Sequence, residues 1–367
     1  MKSYIHSIGT SVPKTTISQA QVVDFMTKVL KLDEKEKQKM AALYRSTGIK
    51  YRHTVLEDYA KTIENYEFFP QNPELEPFPR ISSRMELYRE HAVSLAQNAI
   101  EDCVERLQNF NYQKITHLIT VSCTGMYAPG IDIELVEKLS LPTDVQRISI
   151  NFMGCYAAFS ALRVADNICR ANPEASVLLV CVELCSIHFQ KSRKDDHTLA
   201  NAIFADGAAA ALVAAKEPQT LGLSISAMYA DLVLTGKADM AWHIADFGFE
   251  MILSAYIPDL IEKGIFELTQ KLLSRLPFQL ADIQYFAIHP GGKRILEVIE
   301  KQLNLSREDN RFAYEILSEN GNMSSPTVLF VLKKLWETLV AEDKGKPILS
   351  FAFGPGLTLE SAVFEVV

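Results

Sequence analysis

The chain of 367 residues lacks most of the features that would assign it at a glance. Its six cysteines, at 103, 123, 155, 169, 181 and 185, include no Cys-x-x-Cys pair. Cys181 and Cys185 fall in and just after a β-like run rather than in a ribbon with metal-ligand spacing, so no metal site is expected. Scattered thiols fit a reducing, cytoplasmic setting better than a disulfide framework. Positive charge is also outnumbered, 37 Lys and Arg against 45 Asp and Glu. A net charge of −8 offers no basic stripe to phosphates, which excludes a general nucleic-acid binder. No apolar run approaches bilayer length, and the run 176–182 is that of a buried strand. The start, Met1-Lys2-Ser3-Tyr4-Ile5-His6, lacks the apolar stretch of a signal peptide. A soluble protein with no membrane span is expected.

What is present is a 48% hydrophobic chain, long enough for two domain-sized units or one large pseudo-duplicated one. Short apolar runs at 116–122, 176–183, 223–230, 284–288 and 347–353 read as strands. They alternate with helical patterns at 84–107, 155–171, 249–263, 265–276, 292–303 and 325–340. The alternation argues an α/β fold with buried sheets covered by helices. The charged stretch 31–45 reads as a solvated amphipathic helix, or as a cationic surface near a phosphate-bearing ligand. Residues 54–80, acidic and carrying four prolines, read as an irregular loop. A composition break at Lys216-Glu217-Pro218-Gln219 divides the chain into halves 1–217 and 218–367. Each half shows an early strand, a helix opened by small residues, and a late glycine loop, at 204–210 and at 353–359. A duplicated βα unit would bring the segments around Cys155 and Asn322 to related positions on one crevice.

Three polar residues sit in special local settings. Cys155 follows Gly154 at the start of a small-residue helix, where the positive end of the helix dipole favours thiolate. His289 follows an apolar strand and precedes Pro290-Gly291-Gly292, a common active-site position in α/β folds. Asn322 lies between Gly321 and Met323-Ser324-Ser325, ahead of an apolar helix. Each has a plain alternative: a small core hydrophobe for the cysteine, a structural histidine, and a helix cap for the asparagine. Together they supply a nucleophile, its charge partner and an oxyanion donor. A papain-like protease also uses Cys, His and Asn in this order, but it would need a Cys-Gly-Ser-Cys-Trp type setting that this chain lacks.

Longer motifs surround these residues: Ile8-Gly9-Thr10-Ser11-Val12-Pro13, Arg84-Met85-Glu86-Leu87-Tyr88, Ser122-Cys123-Thr124-Gly125-Met126-Tyr127-Ala128-Pro129-Gly130, Phe204-Ala205-Asp206-Gly207-Ala208 and Gly354-Pro355-Gly356-Leu357-Thr358-Leu359-Glu360. With them the chain resembles, nearly end to end, the type III polyketide synthases of the chalcone and stilbene synthase family in their bacterial form. The resemblance implies a thiolase-like fold with layered α-β-α-β-α architecture and two pseudo-duplicated halves. It also implies a homodimer that works on coenzyme A thioesters, without a carrier protein or a cofactor. Ketoacyl-ACP synthase III enzymes share the three residue types, but typically follow the His with Gln-Ala-Asn and lack the Gly-Pro-Gly ending. A catalytically silent thiolase-fold scaffold is the non-enzymatic alternative.

On this resemblance Cys155, as thiolate beside a His289 imidazolium, would accept an acyl group from acyl-CoA. His289 and Asn322 would stabilise the enolate left when malonyl-CoA loses CO2. Phe204 matches the family's gatekeeper phenylalanine, and Met251 stands where the second gatekeeper would be. Trp242 falls where a cavity-floor glycine is usual, while Cys123 and His188 replace wall threonines. Pro355 and Gly356 belong to the terminal loop beside the cavity. Arg45, Lys293 and Arg294 are the candidate CoA-binding cations. The starter acyl group, the number of extensions and the cyclisation mode stay open.

Overall fold

The computed structural model describes Lys2–Ser254 and Tyr256–Val367; Met1 and Ala255 lie outside the described residues. The first half contributes strands β1 (Tyr4–Ser11), β2 (Thr15–Ser18), β3 (Tyr51–Thr54), β4 (His117–Ser122), β5 (Gln146–Asn151), β6 (Ser176–Leu184) and β7 (Asp206–Ala214). The second contributes β8 (Leu223–Leu232), β9 (Met240–Ala245), β10 (Gly248–Leu253), β11 (Tyr285–Ile288), β12 (Pro347–Gly354) and β13 (Thr358–Val366). The helices of the first half are α1 (Gln19–Val29), α2 (Glu34–Ser46), α3 (Ile81–Glu105), α4 (Ile131–Lys138), α5 (Ala157–Ala171) and α6 (Asp195–Ile203). Those of the second are α7 (Ile257–Leu273), α8 (Lys293–Leu303), α9 (Arg311–Asn320) and α10 (Thr327–Trp336).

Nine strands form one mixed sheet in the order β11-β12-β13-β8-β1-β7-β6-β4-β5. The order is two copies of one unit joined edge to edge. In the first, β4 lies parallel to β6, and β7 and β1 follow antiparallel. In the second, β11 lies parallel to β12, and β13 and β8 follow antiparallel. The β1–β8 pairing at Tyr4 and Ile5 closes the seam. Helix α3 packs on β1, β7 and β6, and α7 on β13 and β8, while α5 and α10 touch strands of both halves. This gives the expected α-β-α-β-α layering, with α5 and α10 in the middle.

Burial explains why these segments are strands. Every residue of β4, β7 and β12 is buried, so no polar alternation marks them. For that reason the stretch 204–210, expected as a glycine loop, is a loop only up to Ala205 and is β7 from Asp206 onward. Its alanines let flanking helices approach closely on both faces. A second difference concerns 249–263 and 265–276, expected as two helices. The first part is the strand β10, hairpin partner of β9, with Phe249, Met251 and Leu253 buried in alternation. Pro258 then opens α7 in its first turn, and that helix runs unbroken through Gly264 to Leu273. Stretch 31–45 is helical from Glu34, opened by an Asp33–Glu36 capping box. The irregular segment 54–80 is tied down by buried Tyr59, Tyr66 and Phe69, whose rings pack on Phe25.

Candidate active site

Cys155 lies two residues ahead of α5 rather than within it. The chain reverses sharply before it, with Phe152 at φ 59° and Gly154 at φ 85°. A Cβ at Gly154 would stand 2.3 Å from Cδ of Pro355, so only glycine fits between the elbow and the Gly-Pro-Gly turn. The Gly154 N–H donates to Sγ of Cys123 at 3.0 Å, which fixes the elbow from the other side. Duplication places Asn322 in the matching position ahead of α10, and His289 at the end of β11 as Cys123 is at the end of β4.

Cys155, His289 and Asn322 line one pocket, together with Cys123, Phe204, Trp242, Met251 and Pro355. Its free volume of about 30 Å³ is room for about two waters. Trp242, Phe204, Met251 and Cys185 form its wall against a second pocket of about 40 Å³, lined by polar groups including His188, Gln190 and Asn201. Trp242 is held in that wall by a 2.8 Å bond from Nε1 to the Cys123 carbonyl. His188 faces the second pocket, not that of Cys155. Its Nε2 donates to Thr124 O at 2.6 Å, Nδ1 accepts from Phe249 N at 3.0 Å, and the ring stacks on Phe249. Burial drives its pKa down to about 3, so it is a neutral cross-link between two loops. Gly356 lies outside both walls, in the turn that presses Pro355 on the elbow.

A larger cavity of about 310 Å³ adjoins the Cys155 pocket, with Ile203, Leu253, Gly291 and Ile295 lining both. Lys293 and Arg294 line it, whereas Arg45 is exposed on α2 outside its wall. Lys293 pairs with Glu297 at 3.4 Å and Arg294 with Asp259 at 3.6 Å. Such exposed pairs are weak and exchange readily for another anion.

Burial works against the expected thiolate–imidazolium pair. Burial pushes the Cys155 thiol up to about 11; hydrogen bonds from Ser324 and Asn322 pull it down, and Glu183 pushes it up. Burial alone lowers His289 to about 3. No described protein group hydrogen bonds to either ring nitrogen of His289, so nothing supports an imidazolium. Burial thus disfavours the charged form of both groups. Asn322 is oriented by Ser324 N, which donates to its Oδ1 at 2.8 Å, leaving the amide nitrogen with one long 3.3 Å bond to Gly291 O. The other N–H of that amide is directed at the Cys155 sulfur, where a substrate oxygen would compete for it.

Glu183 was not singled out from the sequence. It ends the apolar run of β6 and is wholly buried. Its Oε2 accepts from Cys123 N at 2.9 Å and Thr124 Oγ1 at 2.8 Å, and its Oε1 from Ser325 Oγ at 2.5 Å. Burial raises its pKa to about 7 against these hydrogen bonds. An acid closing an otherwise apolar strand was the only local signal.

A two-fold βα duplication with a cysteine elbow, a histidine and an asparagine in its central crevice defines a thiolase-fold condensing enzyme. Residues 2–218 match the N-terminal domain, and 225–367 the C-terminal domain, of chalcone and stilbene synthases. The chain belongs to that family, the type III polyketide synthases, and is an acyltransferase that acts by decarboxylative condensation. It is 29% identical over 371 residues to the α-pyrone synthesis polyketide synthase-like Pks18 of Mycobacterium tuberculosis, covering 99% of this chain and 91% of that one. To a putative chalcone synthase of Bacillus subtilis it is 31% identical over 374 residues, covering 99% and 98%. Among solved structures, the PKS-I of the brown alga Ectocarpus siliculosus superposes with a TM-score of 0.91 at 29% identity, covering 100% and 98%. The C-terminal type III domain of Steely1 from Dictyostelium gives 0.89 at 28%, covering 100% and 99%. No helix among the described residues is long and apolar enough to cross a membrane.

Replacing Glu183 by Gln removes a negative charge while its amide can still bond Ser325 and accept from Cys123 N. The pH midpoint of Cys155 alkylation by iodoacetamide should fall in the variant. An unchanged or higher midpoint would show that Glu183 does not act on the thiol.

Proposed function

We propose that Cys155 carries the growing acyl chain and that His289 and Asn322 serve both half-reactions. The observation that supports this is the shared pocket, where the unpartnered nitrogens of His289 and the amide of Asn322 surround the cysteine. In the first half-reaction His289, as neutral base, takes the thiol proton while sulfur attacks the acyl-CoA carbonyl. The CoA–carbonyl bond breaks, and the protonated imidazole returns its proton to the departing CoA thiolate. In the second, His289 with its proton on the facing nitrogen and Asn322 donate to the malonyl thioester oxygen. The bond to the carboxylate breaks, CO2 leaves, and its electron pair forms an enolate that the two donors stabilise. Attack of the enolate on the Cys155 thioester makes the new C–C bond and frees the thiolate. The product is two carbons longer and can be reloaded.

The pantetheine arm fits the cavity lined by Lys293 and Arg294, and those two cations suit its phosphates. The chemistry draws on the thioesters and these side chains, with no metal or prosthetic group. The small Cys155 pocket supports short or compact starters, with Trp242 as the limiting wall and Phe204 and Met251 beside it. Pyrones, resorcinols or related products remain the product class.

A homodimer fits the exposed sheet edge. β5 ends the nine-strand sheet with four of its six residues exposed, and Met126 and Ile133 are exposed beside it. Sedimentation should give about twice the 41.1 kDa chain mass; a monomer at micromolar concentration would contradict the dimer.

The reading is tested by a panel of acyl-CoA starters, and one acyl-carrier-protein thioester, each with malonyl-CoA and mass analysis of products. Wild type should extend short acyl-CoAs and ignore the carrier-protein donor. Trp242→Gly should accept bulkier starters or release longer chains. Preferred use of the carrier protein would favour ketoacyl-ACP synthase III chemistry, and an unchanged product profile in Trp242→Gly would remove Trp242 from the specificity argument.

A further inference from the structure

Arg52 lies on β3, only 4% exposed; the buried Asp206 carboxylate attracts it, but the two make no direct ion pair. A buried guanidinium with no carboxylate in direct contact is costly unless its N–H groups meet strong acceptors. The acceptors here are the carbonyls at the C-terminus of α6. Nη1 donates to Asn201 O at 2.8 Å and to Phe204 O at 2.6 Å. The negative end of the helix dipole faces the cation there.

Every exposed carbonyl of that helix end has a partner. Ala200 O takes Phe204 N, Ala202 O takes Nε2 of Gln19 at 2.8 Å, and Ile203 O takes Asn322 N at 2.9 Å. Ala205 N in turn donates to Asn322 O at 2.9 Å, so the Phe204 and Asn322 backbones form a parallel β-bridge. Arg52 also underlies the other side of the bridge. A Cβ at Gly321 would stand 3.0 Å from Cγ of Arg52 and 3.1 Å from its Cδ. One side chain thus supports the residue that walls the cavity and the residue whose amide faces the cysteine.

We propose that Arg52 is a positioning residue for the condensation, holding Phe204 and Asn322 as one unit relative to Cys155 by capping α6. It acts through those two residues and rests on Asn322 being the oxyanion donor. The elbow itself is fixed separately, by Cys123 and Pro355, so loss of the Arg52 cap should leave Cys155 in place.

The test compares the full-length wild type with Arg52→Met, Arg52→Lys and Asn322→Ala. Methionine keeps the aliphatic packing but removes the donors, while lysine restores one. Four quantities are read: kcat and KM for malonyl-CoA decarboxylation, the alkylation rate of Cys155, and thermal melting. Because sub-ångström misplacement of a catalytic donor is expensive, Arg52→Met should lose about tenfold or more in kcat with KM and alkylation changed by less than about threefold. Arg52→Lys should recover part of kcat. A folded Arg52→Met with wild-type kcat overturns the proposal, as do kcat and alkylation falling together in step with lost folded protein. If Arg52→Met does not fold, Arg52→Lys decides. Lowered kcat with intact alkylation supports the proposal, and both intact or both lowered overturns it. Asn322→Ala separates the two readings: unchanged decarboxylation there defeats the assignment of Asn322, whereas a loss there with none in Arg52→Met defeats the cap alone.

Discussion

The crevice depends on one buried carboxylate. Glu183, closing β6, accepts hydrogen bonds from the loop after β4 through Cys123 N and Thr124 Oγ1, and from the start of α10 through Ser325. It therefore ties together segments that belong to different halves of the chain. A carboxyl group in this position must be fully hydrogen-bonded to remain buried, and that demand fixes the spacing of the surrounding loops. The Cys123 loop it holds grips Gly154 through the Cys123 sulfur and Trp242 through the Cys123 carbonyl. Nucleophile elbow and cavity wall are thus referenced to the same few atoms. Burial first, and this carboxylate after it, disfavour a thiolate at Cys155.

Duplication explains why one fold can place three reactive groups without long, irregular loops. Each half ends a parallel strand and opens a buried helix at the same point of its sheet, and the central helices α5 and α10 bring these points face to face. The halves then diverge. Where one has a cysteine on a strained elbow, the other has an asparagine whose backbone bridges to Phe204. In the proposed mechanism, acid–base chemistry at this buried site uses neutral partners that exchange a proton when charge develops. His289, with no hydrogen-bond partner of its own among the described residues, suits that role.

How much of this was legible in the sequence follows from the range of the interactions. Cys155, His289 and Asn322 stand out because their settings are local: a glycine elbow, a Pro-Gly-Gly turn and a Gly-Asn step each leave a signature within a few residues. The buried strands could be read from short apolar runs for the same reason. The β9–β10 hairpin could not, since Ile252 between Met251 and Leu253 blurs the two-residue alternation and the helix α7 follows at once. Glu183 and Arg52 were missed because their partners are distant, 60 residues away for Cys123 and 152 for Phe204. The burial that works against charge on Cys155 and His289 was also beyond reach, because it is a tertiary property. A helix dipole and an opposite charge argue for a thiolate only while solvent is left out of the balance.

The central claim is that sulfur of Cys155 carries the acyl chain, and its most direct test is peptide mapping of the protein after incubation with acyl-CoA in the absence of malonyl-CoA. The account predicts one acyl mass increment, on the peptide containing Cys155, that disappears when malonyl-CoA is added and never forms in Cys155→Ala. An increment on Cys123 or Cys185 instead, or chain extension by Cys155→Ala at the wild-type rate, would contradict it.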